Sequence, residues 1–494
     1  MRGPKGTLSA GRARCLALTI VAVAVLAAPC VAQPAGPQTS TAAPRAASLV
    51  GSPAVEQGKR FLHAVTTADD AAFLLTLHDL YPTSKLSDAA WLDIRPNWRQ
   101  FQFHGIERAD ATHAALSVFD ANRDGWALIL VTVQPDPPYA ITDFALHNGH
   151  RPADVPAPPR LAPPQLVAAT EAKIADEVAA GRFAGAVLIA QNGRPLFAKA
   201  YGMANLAGGA PNTLHTQFRI GSMNKGFTEV AVLQLAQAGK LDLKAPLARY
   251  LPDYPNREAA AKITIDELLT HSSGLGDFFG ADFEAHRDAL RDPKDYVAFF
   301  GARPLLFEPG SRQAYSNYGY IVLGRVIEAV SGVSYDAYVQ AHVYGPAHMT
   351  ATGARPEAEA MPNRAIGYET DQGRLRPATT FQVYRGTPAG GGYSTVGDLL
   401  GFANAFMSNR LLNADYTRRL TTTGTTLPNG QVVHYDFSTH TGEGRVYFGH
   451  AGSSHGQSAD VRIFADGGFV VVVLANRDPP IEAVLENFIS DRLP

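Results

Sequence analysis

The chain has 494 residues, 46% hydrophobic and 18% charged, so it can bury a sizeable core, and disordered and fibrous classes are excluded. Its 43 basic and 45 acidic residues give a formal net charge of -2. No block of basic residues runs through the chain, so it lacks the electrostatic surface that nucleic-acid binding requires. At ~150 residues per domain, the length predicts a globular protein of about three domains.

Residues 1–32 have the pattern of a cleavable secretory signal peptide. Basic residues precede an apolar run over 15–28 that is shorter than the ~20 residues a membrane span needs, and small residues follow it. The two cysteines, Cys15 and Cys30, lie in this segment, so the mature chain would have no disulfide. We therefore expect a secreted or periplasmic protein with no stable membrane span after signal cleavage.

Two proline-rich stretches divide the rest of the chain. Residues 33–51 are typical of a flexible spacer, because Ala, Pro, Ser and Thr dominate them, and residues 151–164 are typical of a semi-rigid linker. These boundaries predict a small α+β accessory domain over 52–150 and a larger domain over 165–494.

The predicted accessory domain begins with helical periodicity and continues with strand-like segments. Asp124-Gly125 is a hairpin turn signal between two of those strands. This order resembles the small cone fold of ketosteroid-isomerase-like proteins. No catalytic group of residues stands out in it, which favours an accessory or packing role. The predicted helical segment is 56–80, and the predicted strands are 114–119, 126–133 and 139–146.

The larger domain shows a helix and a hairpin at its start, then a hairpin and a helix at its end. Asn192-Gly193 and the segment 466–468 are the two turn signals. This symmetry predicts one antiparallel sheet built from both ends of the domain, with a mostly helical insertion over about 220–445. The segments are helix 165–180, strands 184–189, 195–200, 457–464 and 469–475, and helix 480–491.

Ser222 and Lys225 form the strongest candidate for chemistry. The stretch 218–225 is FRIGSMNK, and helical periodicity follows it, so residues three apart would share one helix face. A serine hydroxyl is a poor nucleophile until a base takes its proton, and a partly buried lysine can be that base. Ser-x-x-Lys occurs once in the chain, although the pattern alone is weak.

Two further elements follow along the chain. Tyr315-Ser316-Asn317 precedes a helical stretch; a tyrosine near a lysine can carry protons, and an asparagine can hydrogen-bond both lysine and substrate. The segment 449–453, Gly-His-Ala-Gly-Ser, enters the strand-rich end of the domain. A glycine there lets the backbone approach a substrate, and the next N–H can serve an oxyanion hole.

The order of these elements resembles the serine β-lactamase and penicillin-binding-protein superfamily, whose motifs are Ser-x-x-Lys, Tyr-x-Asn or Ser-x-Asn, and Lys-Thr-Gly. The most similar branch is that of class C β-lactamase-like hydrolases, which includes D-alanyl-D-alanine carboxypeptidases, D-aminopeptidases and carboxylesterases. Two more stretches, 268–275 (LLTHSSGL) and 388–395 (PAGGGYST), are typical of that branch. The resemblance covers about 165–490 and implies an α+β fold, an antiparallel sheet flanked by helices with a helical insertion.

The resemblance implies a role for each motif residue. Ser222 would be the nucleophile, Lys225 would help to activate it, and Tyr315 would be the general acid or base. Asn317 would position the carbonyl side of the substrate, and the backbone N–H groups of Ser222 and Ser453 would form the oxyanion hole. The resemblance implies a small-molecule or peptide substrate, with no cofactor and no metal.

The third motif departs from the family pattern, because His450 stands where the family has lysine. Lysine is a fixed cation suited to a substrate carboxylate, whereas histidine is largely neutral at pH 7. His450, Gly452 and Ser453 remain substrate-binding candidates, but the change favours ester or non-carboxylate amide substrates. We therefore predict an esterase or D-amino-acid peptidase, with a β-lactamase or a non-hydrolysing penicillin sensor as alternatives. The oligomeric state stays open.

Other sites are weaker on sequence grounds. The segment 452–456 matches the Gly-x-Ser-x-Gly elbow of α/β-hydrolases, but a strand pattern follows it and no histidine lies downstream. No metal-ligand spacing is present. His271 with Ser272-Ser273 suggests a loop or cap, and Thr395 with Asp398 predicts a capping box.

Overall fold

The computed structural model describes residues 51–494, except 85, 122–123, 150, 372–373, 379–381 and 443–444. The predicted signal peptide, both cysteines and nearly all of the predicted spacer lie outside the described residues. No helix within the described ranges is long and apolar enough to cross a membrane.

The first part of the described chain has three helices followed by a four-stranded antiparallel sheet with its strands in chain order. The predicted helical segment 56–80 is two helices, because the Asp69 side chain accepts from the Ala72 N–H at 2.8 Å and caps a second helix. The predicted strands are confirmed, while α3 and β1 were not anticipated. The elements are α1 Pro53–Thr67, α2 Asp70–Leu80, α3 Asp88–Ile94, β1 Phe101–Ala109, β2 His113–Asp120, β3 Gly125–Val133 and β4 Ile141–Asn148.

An aromatic cluster forms the core of this first part. The Phe61 ring lies 5.9 Å from Trp91 and 4.5 Å from Phe144, and Trp91 lies 5.9 Å from Trp98, measured between ring centroids. Among the described residues, this core shares no member with the two cores of the remaining chain. The first part therefore buries its apolar surface within itself.

The second part runs from Pro163 to the end of the chain. The predicted terminal helices and strands are confirmed to within two residues. The elements are α4 Pro163–Ala179, β5 Gly185–Gln191, β6 Arg194–Tyr201, β7 Met203–Asn205, β8 Ala210–Pro211, β9 Phe218–Gly221, α5 Asn224–Gln237, α6 Arg257–Lys262, α7 Ile265–Leu269, α8 Ala281–His286, α9 Pro293–Phe300, α10 Asn317–Ser331, α11 Tyr335–Val339, β10 Tyr368–Asp371, β11 Arg374–Pro377, β12 Gly392–Ser394, α12 Val396–Met407, α13 Ala414–Thr422, β13 Thr425–Thr426, β14 Val432–Val433, β15 Thr439–Gly442, β16 Arg445–Ser454, β17 Gln457–Phe464, β18 Phe469–Ala475 and α14 Ile481–Ser490.

The main sheet joins both ends of this second part, as the sequence predicts. Its six strands are antiparallel in the order β15-β16-β17-β18-β5-β6. Asn192 and Gly193, with φ of 51° and 76°, form the tight turn between β5 and β6. Alternate residues of β18 enter different cores: Val471 packs with helices α4 and α14, and Val472 packs with the helical insertion. Covering both sheet faces gives the predicted α+β fold and holds β9 and α5 against the sheet.

The predicted capping box at Thr395 is half correct. The Thr395 Oγ1 accepts from the Asp398 N–H at 3.1 Å and caps α12. The Asp398 carboxylate instead accepts from the Ala351 N–H at 2.8 Å and the Thr352 hydroxyl at 2.7 Å. The Asp398 carboxylate thus makes tertiary contacts instead of the local contact with the Thr395 backbone that a capping box requires.

Candidate active site

Ser222 lies in the turn between β9 and α5. The sequence places it at the helix start, but α5 begins two residues later, at Asn224. The Met223 N–H donates to the Ile220 carbonyl at 3.1 Å, and the Lys225 N–H donates to the Ser222 carbonyl at 2.9 Å. These three-residue turns still place Ser222 and Lys225 side by side, so the predicted proximity is confirmed.

Lys225 is completely buried, and its ammonium group meets three acceptors. Its Nζ lies 3.1 Å from Ser222 Oγ, 2.8 Å from Asn317 Oδ1 and 2.7 Å from the Ala389 carbonyl. Burial lowers the pKa of Lys225 to about 8, since the charged form loses its hydration. The charges that oppose this decrease in the Lys225 pKa are those of Asp436, Asp277 and Glu229.

Tyr315, in the loop that precedes α10, contacts the same serine. Its hydroxyl donates to Ser222 Oγ at 2.8 Å, and its ring centroid lies 4.6 Å from Lys225 Nζ. Burial, followed by the charge of Asp436, raises the pKa of Tyr315 well above its ordinary value. Tyr315 therefore keeps its proton at neutral pH. Lys225, by contrast, can lose its proton in that pH range.

Asn317 is the first residue of α10, which the Ser316 hydroxyl caps by accepting from the Gly319 N–H at 3.0 Å. Its Oδ1 faces Lys225, and its Nδ2 donates to Asp277 Oδ2 at 2.7 Å. Asp277 thus fixes which end of the amide faces the lysine. The contacts of Asn317 tie it to Lys225, and its predicted contact with substrate stays a prediction.

Gly452 brings β16 against the backbone of the candidate nucleophile. A Cβ at this position would lie 2.0 Å from the Ile220 carbonyl oxygen and 2.6 Å from Ser222 N, so no larger residue fits. A Cβ on Gly221 would in turn lie 3.2 Å from Ser453 N. The backbone N–H groups of Ser222 and Ser453 are therefore brought together, as an oxyanion hole requires.

The rival hydrolase elbow is not formed at 452–456. Ser454 ends β16, and β17 starts at Gln457 after a tight turn. The helix that must follow such a nucleophile is replaced by a strand of the main sheet.

His271 and Asp436 belong to the site, although the sequence analysis left both out. His271 Nδ1 accepts from the Ser316 N–H at 3.1 Å, so the proton of the neutral ring is on Nε2, which lies 2.9 Å from Asp436 Oδ2. The His271 ring centroid is 4.5 Å from that of Tyr315. The LLTHSSGL stretch was a usable signal for His271, whereas nothing local marks Asp436, 165 residues further on.

Glu229 holds the backbone on which Asp436 lies. Its carboxyl accepts from the Asp436 N–H at 2.7 Å and the Phe437 N–H at 3.0 Å, and also from the Tyr320 hydroxyl. Burial, together with the charge of Asp436, raises the pKa of Glu229 to about 8. Of these two adjacent carboxyl groups, Asp436 is therefore the one that is charged at neutral pH.

His450, the third-motif residue, lies on β16 with its side chain 13% exposed. Its Nε2 lies 3.4 Å from Asp436 Oδ2, and its Nδ1 contacts the Ala451 carbonyl. The structure thus brings all of the predicted motif residues to one place. Over the described part of the chain, no group of three or more His, Cys, Asp or Glu side chains could hold a metal ion.

Comparison with known proteins assigns the larger domain to the superfamily that its motifs resemble. The family model described as Beta-lactamase matches residues 170–493. Penicillin-binding protein 4* of Bacillus subtilis is 28% identical over 321 residues, 61% of this chain and 70% of that protein. Esterase EstB of Burkholderia gladioli is 37% identical over 198 residues, 37% of this chain and 50% of the esterase.

Solved structures agree with these matches. A penicillin-binding protein from Bacillus halodurans is 30% identical, with a TM-score of 0.56 over 65% of this chain and 98% of that one. A D-amino acid amidase from Ochrobactrum anthropi, 22% identical with a TM-score of 0.56 over 66% of this chain and 97% of the amidase, shows the fold alone.

The chain spans 61% of the putative penicillin-binding protein PbpX of Bacillus subtilis, at 28% identity over half of this chain.

Proposed function

The chain belongs to the Beta-lactamase family of serine hydrolases, and from that membership we propose that it cleaves an ester or amide bond through an acyl intermediate on Ser222. The observation that carries the proposal is the contact of Ser222 Oγ with both Lys225 Nζ, at 3.1 Å, and the Tyr315 hydroxyl, at 2.8 Å. A nucleophile with a base and an acid within hydrogen-bond reach is what covalent acyl transfer needs.

Acylation begins with the neutral form of Lys225, which takes the proton of Ser222 as its Oγ attacks the substrate carbonyl carbon. The negative charge that forms on the carbonyl oxygen is bound by the N–H groups of Ser222 and Ser453. The carbon–oxygen or carbon–nitrogen bond then breaks, and the leaving alcohol or amine takes a proton from Tyr315. The proton held by Lys225 restores the phenol.

Deacylation uses the same two groups in the same roles. A water molecule gives one proton to Lys225 as its oxygen attacks the acyl carbon, and Ser222 leaves with a proton from Tyr315. Lys225 then returns its proton to the Tyr315 phenolate. The products are the free acid and the regenerated serine. This scheme makes Lys225 the base and Tyr315 the acid in both half-reactions, because burial moves their pKa values in opposite directions.

The substrate class follows from the third motif and from the relatives. His450 replaces the lysine that suits a carboxylate, and one relative bears the name esterase. We therefore propose an ester or a D-amino-acid amide or peptide as the substrate. A β-lactamase or a penicillin-binding sensor is the second candidate, favoured by the penicillin-binding proteins that the chain resembles.

The proposal is tested by measuring the intact mass of the protein after exposure to a fluorophosphonate and, separately, to benzylpenicillin. We expect one phosphonyl adduct on the wild type and none on Ser222→Ala, turnover of p-nitrophenyl butyrate, and no lasting penicillin adduct. A stable penicilloyl adduct would make the protein a sensor, and fast penicillin hydrolysis would make it a β-lactamase. Labelling that persists in Ser222→Ala would refute the assignment of the nucleophile.

Export of the protein is a separate proposal, supported by the signal-peptide pattern of residues 1–32. The mature protein should begin near residue 33 when it is recovered from the periplasm or medium. N-terminal sequencing measures this directly, and recovery of an uncleaved chain from the cytoplasm would contradict it.

A further inference from the structure

The charge at the third motif is set by a pair of side chains rather than by His450 alone. Both ring nitrogens of His450 face an acceptor: Nδ1 contacts the Ala451 carbonyl, and Nε2 faces Asp436 Oδ2 at 3.4 Å. Neither N–H of a protonated ring is therefore directed at a bound substrate. His450 differs in this respect from a lysine, whose ammonium group has three donors.

Asp436 is charged throughout the neutral pH range. Burial favours its neutral form, but interactions with His271 and His450 outweigh burial and hold the pKa of Asp436 well below its ordinary range. Its carboxylate is also fixed in place, because His271 Nε2 lies 2.9 Å from Oδ2 and 3.1 Å from Oδ1. The titratable groups that interact with Asp436 are His271, His440, His450, Glu229, Tyr315, Tyr320 and Lys225.

The Asp436–His450 pair never carries a net positive charge, whichever protonation state His450 has. When the ring is neutral, the pair carries the negative charge of Asp436, and when the ring is protonated the pair sums to zero. Burial lowers the pKa of the neighbouring His440 to about 4, so His440 adds no positive charge at neutral pH. Lys225 is held by three acceptors of its own, and Asp277 adds a carboxylate on the far side of Asn317.

We propose that Asp436 is a specificity-determining residue: it keeps the Asp436–His450 pair uncharged or negative, so the site rejects substrates with a carboxylate beside the scissile bond and takes uncharged esters and amides. This inference rests on the proposed function and assigns its substrate class. A carboxylate brought next to Asp436 meets a like charge in a poorly solvated site, which costs far more than it would in water.

Two matched esters test the proposal: 3-carboxyphenyl butanoate and 3-carbamoylphenyl butanoate, which differ only in the charge of the leaving phenol. The measured quantity is the ratio of kcat/KM for the carbamoyl ester to that for the carboxy ester at pH 7.5, with Ser222→Ala as the blank. We expect a ratio of at least about tenfold in the wild type, and a reduction of about tenfold in Asp436→Asn, which keeps an acceptor for His271. Asp398→Asn, which removes a buried carboxylate outside the site, should keep the wild-type ratio.

His450→Gln provides a test that leaves the buried carboxylate untouched. It should change the ratio by less than about twofold, since His450 contributes no net attraction. A selective loss of activity on the carboxy ester in His450→Gln would overturn the proposal, and so would an unchanged ratio in folded Asp436→Asn. If neither ester is hydrolysed and Ser222 is not labelled by the fluorophosphonate, the proposed function itself fails.

Discussion

Arg95 in the first part of the chain and Lys225 in the second are both buried cations, with 1% and 0% of their surfaces exposed. The Arg95 guanidinium donates to the carbonyls of Ala64 and Val65 at 3.2 Å, to the Ala68 carbonyl, and to Asp70. These carbonyls lie at the C-terminal end of α1, and the Ala64 carbonyl also accepts from the Ala68 N–H at 3.4 Å. Arg95 therefore completes a helix end.

Lys225 differs from Arg95 in what surrounds it and in what it can do. Its acceptors include a serine hydroxyl, and Ser222 is only half-buried. An arginine keeps its proton in any protein environment, whereas a buried lysine can lose it. Burial of a cation therefore does not by itself indicate function. A buried cation that can lose its proton beside a nucleophile does indicate function.

Exchanging the cation type at the site should have the largest effect. Lys225→Arg keeps the positive charge but cannot act as a base, so we expect kcat/KM for p-nitrophenyl butyrate to fall at least about a thousandfold. Circular dichroism and thermal unfolding check that the variant is folded. Activity within tenfold of the wild type would show that Lys225 is not the base.

Removing the structural cation should affect stability alone. Arg95→Met removes the guanidinium donors from the end of α1, and we expect a loss of about 3 kcal/mol in the unfolding free energy of the first part. All 3 tryptophans, Trp91, Trp98 and Trp126, lie there, so fluorescence in a urea titration reports on this part. A matching loss of kcat/KM under native conditions would contradict the separation of the two parts.

The pH dependence of the reaction sharpens the same contrast. Because the pKa of Lys225 is lowered to about 8, its base form decreases tenfold per pH unit below that value and is nearly complete above it. We expect kcat/KM for an uncharged ester to rise about fiftyfold from pH 6 to pH 8 and to level off by about pH 9. A flat profile between pH 6 and pH 8 would exclude neutral Lys225 as the base.

The smallest expected effect concerns Asp277, which orients the Asn317 amide toward Lys225. Asp277→Ala frees that amide to rotate, and we expect a loss of about tenfold in kcat with little change in KM. Asp277→Asn, which retains an oxygen for the Asn317 Nδ2 donor at the same position, should recover most of the rate. Equal losses in both variants would mean that the charge of Asp277, rather than its hydrogen bond, is what matters.

Motifs with local geometry were predictable from the sequence. The Ser222–Lys225 pair, the Tyr315-Ser316-Asn317 element and the glycine at 452 were all identified, and the structure brings them together. Their spacing carries information because side-chain reach along a turn is short. The terminal hairpins were predictable for the same reason, since two-residue turns limit their sequences.

Capping contacts decided two features that hydrophobic periodicity does not reveal. These are the exact start of α5 and the division of residues 56–80 into two helices. Strand β1 was missed because nearly all of its residues are exposed or half-buried, so burial leaves no clear alternation in its sequence.

The sequence by itself determined the candidate nucleophile with its lysine partner and the α+β architecture, because these depend on residues close together in the chain or on alternating apolar patterns. Tyr315, 93 positions from Ser222, was identified through its own motif. Only the tertiary structure decided the electrostatics of the site. Asp436 meets His271 although the two are 165 positions apart, and the pKa values of Lys225 and Tyr315 follow from burial by distant segments. Burial and Coulomb interactions act through space, so no local pattern records them.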